Sequence, residues 1–382
     1  MTVKRVRVRL EGRRQEYNVH VGPGILGRIG DETRRALTLH ARRILIISNR
    51  KVFDLYGARV QEGLRGAGFR VEVWLMGDGE RHKSFATLQR ALKHLAHLGL
   101  ERSDAVVALG GGVVGDLAGL AAALYLRGLA FVQIPTTLLA QVDASVGGKV
   151  AINTSTGKNV VGVFHQPRLV LVDTETLRTL PAREMTAGWC EAVKQGAAGD
   201  RRLFDDTVRF LKASPSTQNE AADRRLAQLI AAQVAFKAAI VAGDEREDAE
   251  RTDARSRRIL NFGHTTAHAL EALTGYRRFR HGEAVGYGML AAGEISKKLG
   301  LLEDSELELL RESVGLCGRL PRADDLDPER IISALAADKK SVGGKIKWVL
   351  LERLGRARIV DGREINATVL RASLRAALRK VS

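Results

Sequence analysis

Apolar and polar positions along the first half of the chain sort into short strands and amphipathic helices. Arg43–Ser48, Val71–Leu75, Asp104–Leu109 and Ala130–Ile134 are apolar runs rich in β-branched residues, each bounded by turn residues. Segments near 51–67, 84–99 and 115–127 carry the helical period between them. Strands that are apolar throughout, alternating with helices, predict a mostly parallel sheet covered by helices. An earlier stretch, Lys4–Val21, alternates like an antiparallel pair and is expected to start the sheet. From about residue 182 the pattern changes. Ala/Leu-rich stretches at 182–213, 217–244, 263–274, 282–299 and 304–316 predict helices, with few strand signals until Ile346–Leu351. The expected architecture is an α/β, Rossmann-like domain over 1–180 and a mostly α-helical domain over 181–382. The mixed-charge run Gly243–Arg258 reads as a surface loop between helices.

Composition narrows the picture only a little. With 382 residues, 45% hydrophobic and 27% charged, the chain has the make-up of a soluble globular protein with a sizeable core. The longest apolar run, around Leu117–Leu126, is about half the length of a membrane span. The start of the chain, Met1-Thr2-Val3-Lys4-Arg5, lacks a signal-peptide pattern, and Cys190 and Cys317 cannot form a disulfide framework. The expectation is a reduced, cytoplasmic protein with no membrane partner. Lys and Arg number 61 against 44 Asp and Glu, a net charge of +17. Such a balance suits nucleic acid, an acidic surface or a small anionic substrate. Aromatic residues are only 5% and are not interleaved with the basic ones, so no stacking platform for nucleic acid is expected.

Three constellations could carry chemistry. The strand ending at Leu109 runs into Gly110-Gly-Gly-Val-Val-Gly115-Asp116, a G-x-G-x-x-G sequence that opens a helix. Such glycines let a backbone approach a pyrophosphate at a helix N-terminus, or merely make a tight turn. No acidic residue ends a strand about 20 positions later, and the Gly-Lys-Ser/Thr of a Walker loop is absent. The second, Ile134–Lys149 with Gly157-Lys158-Asn159, gathers paired glycines, polar side chains and two lysines suited to a phosphate or carboxylate. In the third, His264 and His268 stand four residues apart on one helix face, His281-Gly-Glu283 opens the next helix, and Glu191 and Lys194 share a face of an earlier one. Three histidines and a glutamate drawn from three helices could hold a catalytic Zn²⁺, or the histidines could be structural. The sequence is not His-Glu-x-x-His, so metalloprotease chemistry is not supported.

Taken in order, these blocks resemble the 3-dehydroquinate synthase family of sugar-phosphate cyclases over essentially the whole chain. The resemblance is carried by Gly79-Glu80-x-x-Lys83-Ser84, Gly110-Gly-Gly-x-x-Gly-Asp116, Tyr125-x-Arg127-Gly128 and Pro135-Thr-Thr-Leu-Leu. It continues through Gln141-Val-Asp-x-Ser-Val-Gly-Gly-Lys149, Gly157-Lys-Asn159, Phe164-His-Gln-Pro167 and Thr179-Leu-Pro-x-Arg-Glu184. Glu191-x-x-Lys194, Asn261-x-Gly-His-Thr-x-x-His-Ala-x-Glu271, His281-Gly-Glu283 and Asp338-Lys-Lys340 complete it.

The resemblance implies a dehydroquinate synthase-like fold with the active site in an interdomain cleft. It also implies NAD, Zn²⁺ or Co²⁺, and 3-deoxy-D-arabino-heptulosonate 7-phosphate as substrate. By the same resemblance Glu191, His264 and His281 hold the metal, and His268 is not a ligand but a histidine that either supports the ligands from behind or handles protons. Lys149, Asn159, Lys194, Arg257 and Asn261 match substrate-contacting positions, with one or both of Lys339 and Lys340. Lys158, Lys237 and Asp143 match further site positions, Asp143 where the cofactor and substrate pockets meet. For NAD the matches are Glu80, Lys83, Gly111, Gly112, Val113, Asp116, Thr136, Thr137, Leu139, Thr176, Thr179 and Glu184, with Asp143, Lys149 and Lys158. Arg127 matches a residue that reaches the neighbouring subunit's site, which implies a homodimer. Ala267 stands where Gly is usual, and Asn49 where some members have an Asp for the adenosine ribose. Sister cyclases share the cofactor and metal but differ around the carboxylate. Arg257, Asn261 and His268 together favour the carboxylate-bearing substrate.

Overall fold

A computed structural model describes residues 16–155, 157–213, 220–248, 250–341 and 346–379; the side chains of 336–341 lie outside that description. Strands β1 (Asn18–Gly22), β2 (Arg43–Asn49), β3 (Arg70–Met76), β4 (Ala105–Gly110) and β5 (Ala130–Pro135) come first in the chain. The hairpin β6 (Lys149–Thr154) and β7 (Gly157–Phe164) then leads to β8 (Leu169–Asp173). Apart from the hairpin these strands form one sheet of order β1-β8-β5-β4-β2-β3, every pairing parallel. Helices α1 (Ile29–Ala36), α2 (Arg50–Gly66), α3 (Phe85–Leu98) and α4 (Gly112–Leu124) cover its faces. Two apolar clusters, one containing Leu45, Val106 and Phe131, the other Ile44, Val107 and Ile134, pack the two sides of the sheet. That double burial is why the central strands read as continuous apolar runs.

The rest of the chain is mostly helical: α5 (Ala182–Gly199), α6 (Arg201–Lys212), α7 (Glu220–Gly243), α8 (His264–Leu273), α9 (His281–Lys298), α10 (Asp304–Leu316) and α11 (Pro328–Ser341). A hairpin of β9 (Lys347–Arg353) and β10 (Arg356–Asp361) and helix α12 (Ala367–Ala377) follow. The buried centre here is α9, fully covered from Gly282 to Ser296. The start of α9 lies on α5 so closely that a Cβ at Gly282 would stand 1.9 Å from the Ala187 carbonyl oxygen. A Cβ at Gly288 would meet the Gly263 carbonyl oxygen at the same distance. Both glycines are therefore required by close approach, and they press α9 against the helices that bear Glu191 and His264.

Several expectations change. Asn18–Gly22 does open the sheet, but it runs parallel to β8, because one-sided alternation does not distinguish the two directions. Residues 4–15 of the proposed antiparallel pair lie outside the described residues. The stretch 182–213 is two helices. Gly199-Asp200 breaks it, and the Asp200 carboxylate caps α6 by accepting from the Leu203 N–H at 3.0 Å. Helices α11 and α12 had no sequence expectation. The run Gly243–Arg258 is not simply a surface loop, since Asp244, Ser256 and Arg257 are buried. The α7 segment is apolar and long enough to cross a membrane by length and composition. It packs instead on α5 and α6, with Gln233 and Lys237 buried on its inner face.

Candidate active site

A cleft of about 1290 Å³ opens between the carboxyl ends of the parallel strands and the helical half, the position where open α/β sheets take ligands. One end is formed by the glycine turn after β4. Gly111 is the N-cap of α4 and Gly112 its first residue, so the first N–H groups of that helix and its positive dipole end face the cleft. Glu80, Lys83, Val113, Asp116, Thr136, Thr137, Leu139, Thr179 and Glu184 line the same end. The Lys83 ammonium, almost fully buried, binds both Asp116 and the Asn159 side-chain oxygen. Burial raises the Asp116 carboxyl above its usual range despite the pull of Lys83. The Thr136 hydroxyl is buried with no hydrogen-bond partner among the described residues, so it has a donor to offer. Thr176 is placed differently: its hydroxyl donates to the Asp173 carbonyl at 2.7 Å and receives Gln141 at 3.0 Å, inside the fold. Asn49 caps α2 through the Val52 N–H at 2.9 Å and donates to Asp78 at 3.0 Å.

At the other end, three donors converge from three helices. Nε2 of His281 lies 3.3 Å from Nε2 of His264 and 3.5 Å from Oε1 of Glu191, and the last two atoms are 3.9 Å apart. A triangle of that size lets one ion sit within about 2.0–2.2 Å of all three, the bond lengths of Zn²⁺ to nitrogen and carboxylate. Glu191 Oε1 is buried and has no hydrogen-bond donor among the described residues. Each imidazole is turned by its other nitrogen. Nδ1 of His264 donates to the Phe262 carbonyl at 3.3 Å, and Nδ1 of His281 to Glu271 at 3.3 Å, which leaves both Nε2 lone pairs facing Glu191. Burial and the nearby Lys194 and His281 charges hold His264 well below its ordinary pKa, in the neutral form a metal needs. Burial would lower His281 as well, but Glu271 and Glu191 outweigh it and raise its pKa. This donor set fits a divalent metal. His268, one turn along α8, faces the cleft with its ring 5.9 Å from that of His281.

Cations fill the middle. Lys194 is buried 2.5 Å from Glu191; burial would lower its pKa, but Glu191 and Asp143 raise it. Lys237 donates to the Asp143 backbone carbonyl at 2.6 Å and lies 2.9 Å from the Asp143 carboxylate. Burial would raise the pKa of that carboxylate, but Lys237 and Lys194 outweigh it and hold it far below the usual range. The Arg257 guanidinium is held by the Glu245 and Gly147 carbonyls at 2.6 and 3.0 Å, which fixes its fork at the cleft. Lys149, Lys158 and Asn159 come from the β6–β7 hairpin, and Asn261 from the turn before α8. Lys339 and Lys340 fall on α11, but their side chains lie outside the described residues. Arg127 does not reach this cleft: it is exposed at the end of α4 on a left-handed backbone, φ 66°.

Two residues without a sequence-assigned role belong to the site. Glu247, inside the presumed surface loop, pairs with Lys149 and accepts from Asn261 Nδ2 at 2.8 Å. Nothing in the local pattern distinguishes it from its charged neighbours. Glu271 lies between His281 and Lys158, 2.9 Å from the lysine. Burial would raise its carboxyl, but those two partners bring it down to about 2. Its spacing did hold a signal, since 264, 268 and 271 share one face of a helix.

Comparison with known proteins agrees with this arrangement. Residues 73–187 match the description "3-dehydroquinate synthase N-terminal", and residues 188–341 match "3-dehydroquinate synthase C-terminal". The chain is 45% identical over 355 residues to a 3-dehydroquinate synthase of Pelotomaculum thermopropionicum, covering 91% of each. It is 41% identical over 364 residues to one from Caulobacter vibrioides, covering 94% of this chain and 95% of that one. Among solved structures, a 2-epi-5-epi-valiolone synthase from Streptomyces hygroscopicus with NAD⁺ and Zn²⁺ bound superposes with TM-score 0.82. It is 28% identical, covering 97% of this chain and 98% of that chain. A 2-deoxy-scyllo-inosose synthase with carbaglucose-6-phosphate, NAD⁺ and Co²⁺ gives TM-score 0.77 at 25% identity, covering 94% and 96%. A protein described as a probable glycerol dehydrogenase of Sinorhizobium meliloti, 17% identical with TM-score 0.65 and covering 95% of this chain and 96% of that one, shares the fold. The family matches, the curated relatives and the convergence of donors, cations and a helix N-terminus in one cleft lead to one conclusion: the chain belongs to the 3-dehydroquinate synthase family.

Proposed function

We propose that this cleft converts 3-deoxy-D-arabino-heptulosonate 7-phosphate into 3-dehydroquinate and phosphate, with the two halves, 1–180 and 181–382, acting as cofactor and substrate domains. The sequence is oxidation at C5, elimination of phosphate, re-reduction, ring opening and intramolecular aldol closure. The observation that carries the reading is the junction of a three-donor metal triangle, a ring of cations and the amino end of α4 in a single cleft. NAD supplies the hydride acceptor and donor, and the N–H groups of Gly111, Gly112 and Val113 would hold its pyrophosphate. A Zn²⁺ or Co²⁺ on Glu191, His264 and His281 supplies a Lewis acid for the substrate's hydroxyls.

The remaining steps are positioning and proton transfer by this chain's own groups. Lys149, Lys158, Lys194 and Arg257 offer several charge-assisted donors to phosphate and carboxylate, and Asn159 and Asn261 add neutral ones. These groups bind the leaving phosphate as well as the ester, so elimination keeps its partners throughout. His268, at the cleft surface beside the two imidazoles, is placed to take and return a proton. The Asp143–Lys237 pair fixes the floor between the cofactor and substrate ends.

Two wider readings belong with this one. Arg127 serves the neighbouring site of a homodimer. It is supported by the exposed apolar residues Leu124 and Leu126 beside it and by Val160, Val161, Val163 and Phe164 along β7. The enzyme works in the cytoplasm, where Cys190 and Cys317, both free and buried, stay reduced. The test is turnover of the heptulosonate phosphate with NAD⁺ and Zn²⁺. Stoichiometric phosphate and 3-dehydroquinate support the reading. Phosphate release without the carbocycle contradicts it.

A further inference from the structure

Glu271 is 1% exposed and sits two turns along α8 from His264. A carboxylate taken this far out of water must be paired, and its two oxygens have partners from opposite halves of the molecule. Oε2 lies 3.3 Å from Nδ1 of His281, whose other nitrogen faces the metal triangle. Oε1 takes the Lys158 ammonium at 2.9 Å. Lys158 belongs to the β6–β7 hairpin on the sheet side and also lies 3.9 Å from Glu80, a residue of the cofactor end. Lys158 is thus shared between two carboxylates, one on the metal side and one on the cofactor side. A cofactor that engages Glu80 removes one competitor and leaves Lys158 to Glu271.

We propose that Glu271 is a positioning residue that aims Nε2 of His281 at the metal and, through Lys158, couples cofactor occupancy to metal affinity. The proposal rests on the metal- and cofactor-site reading above. A neutral imidazole has one N–H, and an acceptor at Nδ1 selects the tautomer whose Nε2 lone pair is free. By linkage, whatever NAD⁺ adds to metal affinity, the metal adds to NAD⁺ affinity by the same factor.

The test is a Co²⁺ titration of the metal-stripped, full-length protein with and without saturating NAD⁺, read by visible absorption and by calorimetry. Wild type is expected to bind Co²⁺ about fivefold or more tightly with NAD⁺ present. Glu271→Gln keeps an acceptor for Nδ1, so its Co²⁺ spectrum stays that of wild type, but an amide does not hold Lys158 and the NAD⁺ effect falls below about twofold. Glu271→Ala loses both, with a shifted spectrum and about 10–100-fold weaker Co²⁺ binding. Wild type without an NAD⁺ effect, Glu271→Gln with the full effect, or Glu271→Ala with unchanged affinity and spectrum would each overturn the proposal. If wild type binds no Co²⁺ through these donors, the metal-site reading falls with it. Normal Co²⁺ binding without coupling sinks this inference alone.

Discussion

The metal end and the cationic middle of the cleft are built on different principles. The metal end is tightly packed: its three candidate donors come from α5, α8 and α9, helices packed until only glycine fits between them, and each imidazole is turned by its own hydrogen bond. The cationic middle takes Lys149, Lys158 and Asn159 from a hairpin whose β7 face is exposed, and its lysines are paired with the chain's own carboxylates, Glu247 and Glu271. A metal needs fixed donors at fixed distances, whereas a sugar phosphate that changes shape through five steps needs cations that can exchange partners. On the proposed function, rigidity lies where an ion would stay, and exchangeable pairing where the substrate would come and go.

The largest effect should come from breaking the rigid end. His264→Ala removes one corner of the triangle, and activity should fall by about 10²–10³-fold or more. NAD⁺ binding, measured by fluorescence quenching, should persist. A metal-replete and active variant would remove His264 from the ligand set. Next comes the proposed dimer, in which Arg127 serves the partner's site. An equal mixture of Arg127→Ala and Lys149→Ala chains, each inactive alone, should recover roughly a quarter of wild-type activity after subunit exchange, since half the dimers are mixed and each has one intact site. No recovery after proven exchange would mean that both residues serve one site.

A smaller change sharpens the contrast by packing alone. In Gly282→Ala the new methyl group meets the Ala187 carbonyl, so α9 must move away from α5. The expected cost is about 1–3 kcal/mol of stability with a measurable loss of metal affinity. Alanine on the exposed hairpin, as in Val160→Ala, should change stability by less than about 0.5 kcal/mol by thermal melting. Equal effects at the two positions would erase the distinction.

The smallest prediction concerns pH. The Asp143 pKa is lower folded than unfolded, because Lys237 and Lys194 favour the ionised form. Its contribution to stability is therefore complete above the unfolded pKa of about 3.9 and is lost as pH falls through the folded value. Wild type should lose stability more steeply below about pH 4 than Asp143→Asn in denaturant titrations. Parallel curves would contradict the pairing.

Sequence was most informative where a local period repeats and least where distant chains meet. The four apolar runs of the first half became β2 to β5, and the helices at 263–274, 282–299 and 304–316 stand within a residue or so of their expected ends. The parallel direction of β1 was hidden, since an edge strand alternates whichever way its neighbour runs. Spacing brought His264, His268, His281 and Glu191 together as candidates, and the resemblance set His268 aside. The structure puts the other three donors in one triangle, with His268 in a second group alongside Glu271 and His281. Glu247 could not be found from its neighbours, because its meaning lies in Lys149, about a hundred positions away. Thr176 matched a motif, but its hydroxyl is satisfied inside the fold by Asp173 and Gln141.

The decisive measurement follows phosphate, 3-dehydroquinate and NADH in parallel during turnover by the purified protein with NAD⁺ and Zn²⁺. Equal amounts of phosphate and 3-dehydroquinate, no net NADH, and loss of turnover on chelation that Zn²⁺ or Co²⁺ restores are expected. NADH accumulating with product, or full activity in chelator, would contradict a metal-assisted, redox-neutral cyclase.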